Sequence, residues 1–342
     1  MNYTECNKAQ RKYPHMNKAS SSCPPDAGMN AKQRARRRKK QLLKSQSILH
    51  AMAIPGVIWM LIFCYWPMLG LIGAFQEYDP VKGFLHSPFV GLAHFREMFQ
   101  DELFLRSLIN MLGLSAVKIV FAIVMPILFA LLLNEIRAPR FKKLVQTASY
   151  LPHFISWVVV AGLFSIWLDK SGLINQLLLK LGLIDTPASY LNNTRKFWFL
   201  MAMIDTWKET GWWAIIYLAA IAGIPQELYE SAMVDGAGRV RRIFSITLPS
   251  IKPTIMTVTT LSIGSMIYGG LSGSNMQQSM LFGNPLNYDA SSILETYVIR
   301  MGMNQGRYSY AIAAGLILSV LSFLLYTAAN KASEKLSGTS LY

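Results

Sequence analysis

Six stretches of this chain are apolar for long enough to cross a hydrocarbon layer, and nothing else in it limits the fold as much. They run over about 51–76, 107–134, 144–168, 197–221, 251–271 and 308–329. A bilayer core of ~30 Å takes about 20 helical residues, so each stretch predicts one crossing. The crossings must be helices, because hydrocarbon offers no partner to an unpaired backbone N–H or C=O, and no alternation of the barrel-strand kind is visible. The expected architecture is an all-α polytopic membrane protein with six transmembrane helices. Charged residues make up only 15% of the chain, against roughly 25% in soluble domains. Pro67, Pro126 and Pro152 fall in or near the apolar stretches and predict local kinks.

Charge sets the orientation. With the N-terminus inside, segments 1–50, 135–143, 222–252 and 330–342 hold 22 of the 33 Lys and Arg, whereas segments 77–106, 169–196 and 272–307 hold 9. That asymmetry follows the positive-inside rule. Acidic residues number seven inside and nine outside, so the net charge of +15 lies entirely on the cytoplasmic side. It reads as topology and attraction to anionic inner-leaflet lipid, not as a nucleic-acid surface. The expected location is the cytoplasmic membrane, with both termini in the cytoplasm. The expected divisions are a basic, largely disordered tail at 1–49, a six-helix transmembrane domain at 50–330 and a cytoplasmic C-terminal tail at 331–342.

Residues 1–28 have neither periodicity nor an apolar core, and no cleavable signal is evident. Met29, just before AKQRARRRKK, is an alternative start to Met1. Cys6, Cys23 and Cys64 form no disulfide framework, and Cys6, His15 and Cys23 do not have metal-ligand spacing. No metal site is expected.

Between the fourth and fifth stretches, segment 222–250 is polar and heavily punctuated, with ELYESAMVDGAGRVRRIFSITLP at 227–249. Pro225 suits the first turn of a helix, Glu227 and Glu230 complement its positive end, and Gly236 with Gly238 can supply a left-handed stop. A short cytoplasmic helix over about 225–235 is expected. Arg239, Arg241 and Arg242 follow it, and then Phe244, Ile246, Leu248 and Pro249 lead into the next crossing. On physical grounds the segment is either a docking element or an ordinary solvated loop with an interfacial helix.

This run resembles the EAA motif of binding-protein-dependent ABC importer permeases. It matches at Glu230, Ala232, Asp235, Gly236, Ala237, Ile246, Leu248 and Pro249, and departs at Ser231, where the family usually has Ala. The resemblance covers roughly residues 50–330. WKETGWWAIIYLAAIAGIPQELYESAMVDGA and ETYVIRMGMNQGRYSYAIAAG resemble the multiple-sugar and oligosaccharide branch. The resemblance implies the type I importer permease (MetI-like) fold, with the matched residues acting as a coupling helix seated on a separate ATPase. It also implies a second homologous permease, an ABC ATPase dimer, an extracytoplasmic solute-binding protein and a sugar or oligosaccharide substrate. A permease for a non-sugar solute is the alternative. A secondary transporter would need an inverted repeat or broken midplane helices, and no such repeat is visible.

The fourth stretch carries Asp205, Lys208 and Glu209 inside MAMIDTWKETGWW. If the outer edge lies near Lys196, Asp205 sits ~13 Å deep at 1.5 Å per residue, where ionisable groups face protein or a water-filled cavity. Asp205 and Lys208 could neutralise each other as an i, i+3 pair. Alternatively this face lines a solute path, with Asp205, Trp207, Lys208, Glu209 and Trp212 as candidate contacts, since aromatic faces pack on sugar rings and charged groups bond hydroxyls. No GxxxxGK[ST], GxSxG or HExxH is present, and His15, His50, His86, His94 and His153 are scattered. No catalytic residue, no enzyme activity and no cofactor bound by this chain are expected, and ATP is expected to be hydrolysed by a partner subunit.

Overall fold

The computed structural model describes residues 51–337, together with Lys32 and Ser47. The expectations for residues 1–28, for the start at Met1 or Met29, for the Cys6, His15 and Cys23 grouping and for residues 338–342 lie outside the described residues. The chain divides into two compact units, one up to Gly70 and one from Leu71 onward.

Helix α1 (Ala51–Phe75) is long and apolar enough to cross a membrane. Its winding changes around the predicted irregularity: a π turn at Leu61–Tyr65 precedes Pro67, and 3-10 winding over Leu69–Phe75 follows it. The wider turn relieves the clash between a proline ring and the carbonyl four residues back.

In the second unit, α2 (Ala93–Gln100) leads into α3 (Glu102–Glu135), whose start is capped by the Asp101 carboxylate accepting from the Leu103 amide at 2.8 Å. Pro126 is accommodated inside α3 and buried there. The third apolar stretch is not one helix. α4 (Pro139–Tyr150) ends at a 3-10 turn, Leu151–Phe154, built around Pro152, and α5 (Trp157–Leu168) starts afresh with Ser156 as its cap. Proline withholds an amide and disfavours helix in the residue before it, so the crossing starts at Trp157 and continues through α6 (Leu173–Lys180). The expected helix at 144–168 is corrected accordingly.

α7 (Phe197–Ala222) is followed by the short α8 (Gln226–Val234) and then α9 (Leu248–Gly264). Every 18-residue stretch of α7 contains Asp205, Lys208 and Glu209, and α9 has 17 residues. These two complete the six spans alongside the four that qualify by length and apolarity alone, Ala51–Phe75, Glu102–Glu135, Trp157–Lys180 and Tyr308–Lys335. The last of these lies within α12 (Tyr308–Ser337), which follows α10 (Asn275–Phe282), a four-residue helical turn at Tyr288–Ser291 and α11 (Leu294–Ile299).

α7 packs chiefly along α3, and α9 along α12. Gly211 allows α7 to meet the end of α4, since a Cβ there would lie 2.1 Å from the Ser149 carbonyl oxygen. Small residues at such crossings let membrane helices approach on van der Waals contact alone. One apolar core gathers Met111, Leu114, Phe197, Met201, Phe282, Leu294 and Tyr297, and another gathers Ala130, Ala214, Tyr217, Ile251 and Val258. Segment 272–307 therefore contributes to the core. Among the described residues the β structure is an isolated bridge between Gln76 and Phe89.

Candidate functional site

Three charged residues of α7 are buried, and each has a partner outside the predicted pairing. Asp205 lies 3.5 Å from the ammonium of Lys118 on α3. The same carboxylate accepts from the hydroxyls of Ser274 at 2.7 Å and Ser272 at 3.2 Å. Lys118 is only 1% exposed, and it donates to Ser274 Oγ at 2.5 Å, Asn275 Oδ1 at 3.0 Å and Gln278 Oε1 at 3.1 Å. Asn275 in turn donates to Ser115 Oγ at 2.7 Å. An ammonium this deep is tolerated only when paired and fully hydrogen-bonded, and α3, α7 and α10 each supply part of that shell.

Lys208 points elsewhere. Its ammonium donates to the His153 carbonyl at 2.6 Å and pairs with Glu209 at 3.0 Å, 5.5 Å from the centre of the Trp157 ring. Glu209 also meets His153 Nδ1 at 2.8 Å, and the His153 ring stacks on Trp212 with centroids 4.3 Å apart. The expected Asp205–Lys208 pair is thus replaced by two separate ion pairs. The physical reason is that α7 is flanked by different neighbours at this level, one offering Lys118 and the other the backbone carbonyl left free where Pro152 breaks the helix.

The candidate path residues consequently separate. Asp205 and Glu209 border a cavity of about 10 Å³ together with Thr210, Trp213 and Ser272, enough for about one water. Trp212 is held under His153. Trp207 is 41% exposed. It lies on an open apolar groove of about 760 Å³ formed by Leu128 and Leu132 of α3, Leu144 and Ala148 of α4, and Gly211 of α7, with its ring edge-on to Phe164 at 5.3 Å. Lys118, His153, Ser274, Asn275 and Gln278 were not singled out by sequence. A lysine in an apolar stretch and the amide-rich run SGSNMQQS beside the fifth span were the signals available.

Segment 222–250 folds locally. Pro225 caps α8, with Glu227 in its first turn. The helix closes where the Ala237 amide donates to the Ala232 carbonyl at 2.8 Å and the Gly236 amide to the Met233 carbonyl at 3.1 Å, the hydrogen-bond pair of a Schellman stop. Gly236 takes the required positive φ, 76°. Gly238 does not share it: its φ of −66° begins the next helical turn, Arg239–Arg242. A π turn, Ile243–Thr247, then leads into α9, and the Tyr229 hydroxyl meets Thr247 Oγ1 at 2.9 Å, tying the two arms together. Glu230, Asp235, Gly236 and Pro249 are exposed, while Ala232, Ala237, Ile246 and Leu248 are half-buried. Apolar side chains are exposed beside them, with Met233, Val240 and Phe244 about half or more uncovered and Val234 at 89%. Both acidic and apolar side chains are thus uncovered on a short, self-closed helix.

Residues 120–336 match the family of binding-protein-dependent transport system inner membrane components. The chain belongs to that family. This permease is 40% identical over 301 residues to Protein LplB of Bacillus subtilis (strain 168), covering 88% of this chain and 92% of that protein. It is also 40% identical over 309 residues to the polygalacturonan/rhamnogalacturonan transport system permease protein YteP of the same organism, covering 90% and 94%. Its fold matches a chain in the crystal structure of a bacterial ABC transporter involved in the import of the acidic polysaccharide alginate, with a TM-score of 0.79, 38% identity and coverage of 88% of this chain and 99% of that one. The permease is therefore a transport component of a membrane, with the six-helix type I importer fold, and not an enzyme. Among the described residues no group of three or more His, Cys, Asp or Glu could hold a metal ion.

Proposed function

We propose that the permease forms half of the translocation path for a sugar or oligosaccharide, delivered by an extracytoplasmic solute-binding protein. In this reading a second, homologous permease completes the path, and ATP is hydrolysed by a separate ABC ATPase dimer. The observation that carries the coupling is α8: a rigidly stopped helix whose exposed Glu230 and Asp235 stand beside uncovered Met233 and Val234. Glu230, Ala232, Asp235, Gly236, Ala237, Ile246, Leu248 and Pro249 are the proposed ATPase contacts. The positive-inside count supports placing segment 222–250 and both termini in the cytoplasm, the basic tail being 1–49, the transmembrane domain 50–330 and the C-terminal tail 331–342.

The names of the relatives support the saccharide reading. Besides YteP they include an arabinooligosaccharide permease of Bacillus subtilis at 28% identity. A second reading, a non-sugar solute, is favoured by one observation: a permease of Yersinia pestis named for sn-glycerol-3-phosphate is 30% identical over 274 residues. Reconstitution decides. Saccharide uptake into proteoliposomes should require the second permease, the ATPase and the binding protein together; uptake persisting without the ATPase would overturn the coupling, and uptake of glycerol phosphate but no saccharide would favour the second reading.

A further inference from the structure

Segment 272–307 contains an arginine that forms no ion pair among the described residues, although other arginines near it do. Arg106 pairs with Glu102 at 2.9 Å and Asp289 at 2.5 Å, and Arg307 pairs with Glu97 at 2.6 Å. Arg300, between Tyr288 and Tyr297 with its guanidinium 4.9 Å and 5.6 Å from their ring centres, makes no ion pair among the described residues. Its Nε and Nη2 are buried without a hydrogen-bond partner, and so is the Tyr288 hydroxyl. Asp101 is occupied by the hydroxyls of Tyr297 and Tyr310. Burial lowers the Arg300 pKa from its ordinary value, against the attraction of Asp101.

Arg300 and Tyr288 line an open cavity of about 530 Å³ with Ser279, Asn284, Ser292 and Thr296. These other polar side chains already bond within the protein: Ser279 to the Ser291 carbonyl, Asn284 to Asn192, Ser292 to Ser107 and Thr296 to the Ile293 carbonyl. The unmet demand at the cavity is therefore for an acceptor. Nε and Nη2 form one edge of the guanidinium, and that edge matches the two oxygens of a carboxylate. A cavity of this size exceeds what a single acidic side chain fills and lies in the range of small-ligand sites. Its aromatic and hydroxyl lining suits a sugar ring.

We propose that this cavity binds a carboxylated sugar unit, its carboxylate held by Arg300 and the Tyr288 hydroxyl after the Tyr288 ring swings off the guanidinium. The proposal rests on the saccharide-import reading and narrows it to acidic saccharides. The test uses the complete transporter in nanodiscs, with galacturonate and mannuronate trimers as probes and maltotriose as the neutral control. Wild type should bind an acidic trimer and not maltotriose. Arg300→Gln should weaken that binding roughly 10- to 100-fold, the scale of a charged hydrogen bond, and Tyr288→Phe, which keeps the packing, roughly 2- to 10-fold. Unchanged affinity in both variants, or equal binding of maltotriose, overturns the proposal. So does an Arg300→Gln complex that keeps its acidic-trimer affinity but loses docking of the loaded binding protein, because the carboxylate would then be the receptor's. Proteoliposome uptake separates the two levels: import of no saccharide sinks the import reading itself, whereas import of maltotriose alone sinks only this site.

Discussion

Lys118 shows how one residue holds three elements together. Its ammonium is enclosed by Asp205 of α7, Asn275 and Gln278 of α10, and Ser274 just before α10. Lys118→Met leaves the Asp205 carboxylate buried with no cation, and breaking a buried pair in this one-sided way costs about 3–5 kcal/mol. Thermal unfolding of the purified complex should show that loss, and Lys118→Met combined with Asp205→Asn should recover much of it. A single variant as stable as wild type would mean that the pair contributes nothing to the fold. Glu295 behaves in the opposite sense. Burial pushes its pKa from an ordinary 4.5 to about 7, with Lys118 pulling the other way, and its Oε2 has no hydrogen-bond partner among the described residues. An acid with a higher pKa folded than unfolded binds more protons in the folded state between about 4.5 and 7. Stability therefore falls as pH rises through that window, and the penalty is complete above it. Glu295→Gln should flatten this part of the stability–pH curve and stabilise the protein at pH 8; a curve of unchanged slope would refute the assignment.

At the scale of elements, α8 was legible because its signals are local: Pro225 before it, Glu227 in its first turn, Gly236 after it. No Cβ clash stands in the way at Gly236, so the demand there is conformational. Gly236→Ala should cost only the left-handed penalty of about 1–2 kcal/mol and keep most uptake. Gly236→Pro can neither take φ 76° nor donate to Met233, and it should insert normally but lose uptake at least tenfold, the scale set by a penalty of ~3 kcal/mol or more. Reconstituted uptake at wild-type level in a correctly inserted Gly236→Pro chain would remove α8 from the coupling role. The third stretch was less legible. Pro152 predicts a kink, but only the fold shows that the crossing starts beyond it, at Trp157, and that the break lends the His153 carbonyl to Lys208. Segment 272–307 was least legible of all, since Asn275 and Gln278 look like exposed residues until α3 and α7 provide Lys118 and the Met201 carbonyl for them to bond.

For the whole molecule, the spans could be read because the bilayer restricts backbone choice, whereas the side chains lining the proposed solute path could not, because they depend on how the helices pack and, in the proposed assembly, on a second permease. Within the second unit the charged groups of α7 are consumed by internal pairing, and the adjoining cavity holds about one water. What α7 leaves uncovered is the apolar groove with Trp207 on it. A large exposed apolar patch on a membrane chain faces lipid or another subunit. If it faces the second permease across the path, a sugar ring moving between them meets the indole face, a contact worth about 1 kcal/mol. Trp207→Ala should then lower uptake by about fivefold while binding-protein-stimulated ATP hydrolysis persists, because α8 and its tie from Tyr229 to Thr247 are untouched. Both quantities can be measured on the same proteoliposomes. Unchanged uptake would assign Trp207 to the lipid face, and parallel loss of uptake and hydrolysis would assign it to packing between the permeases.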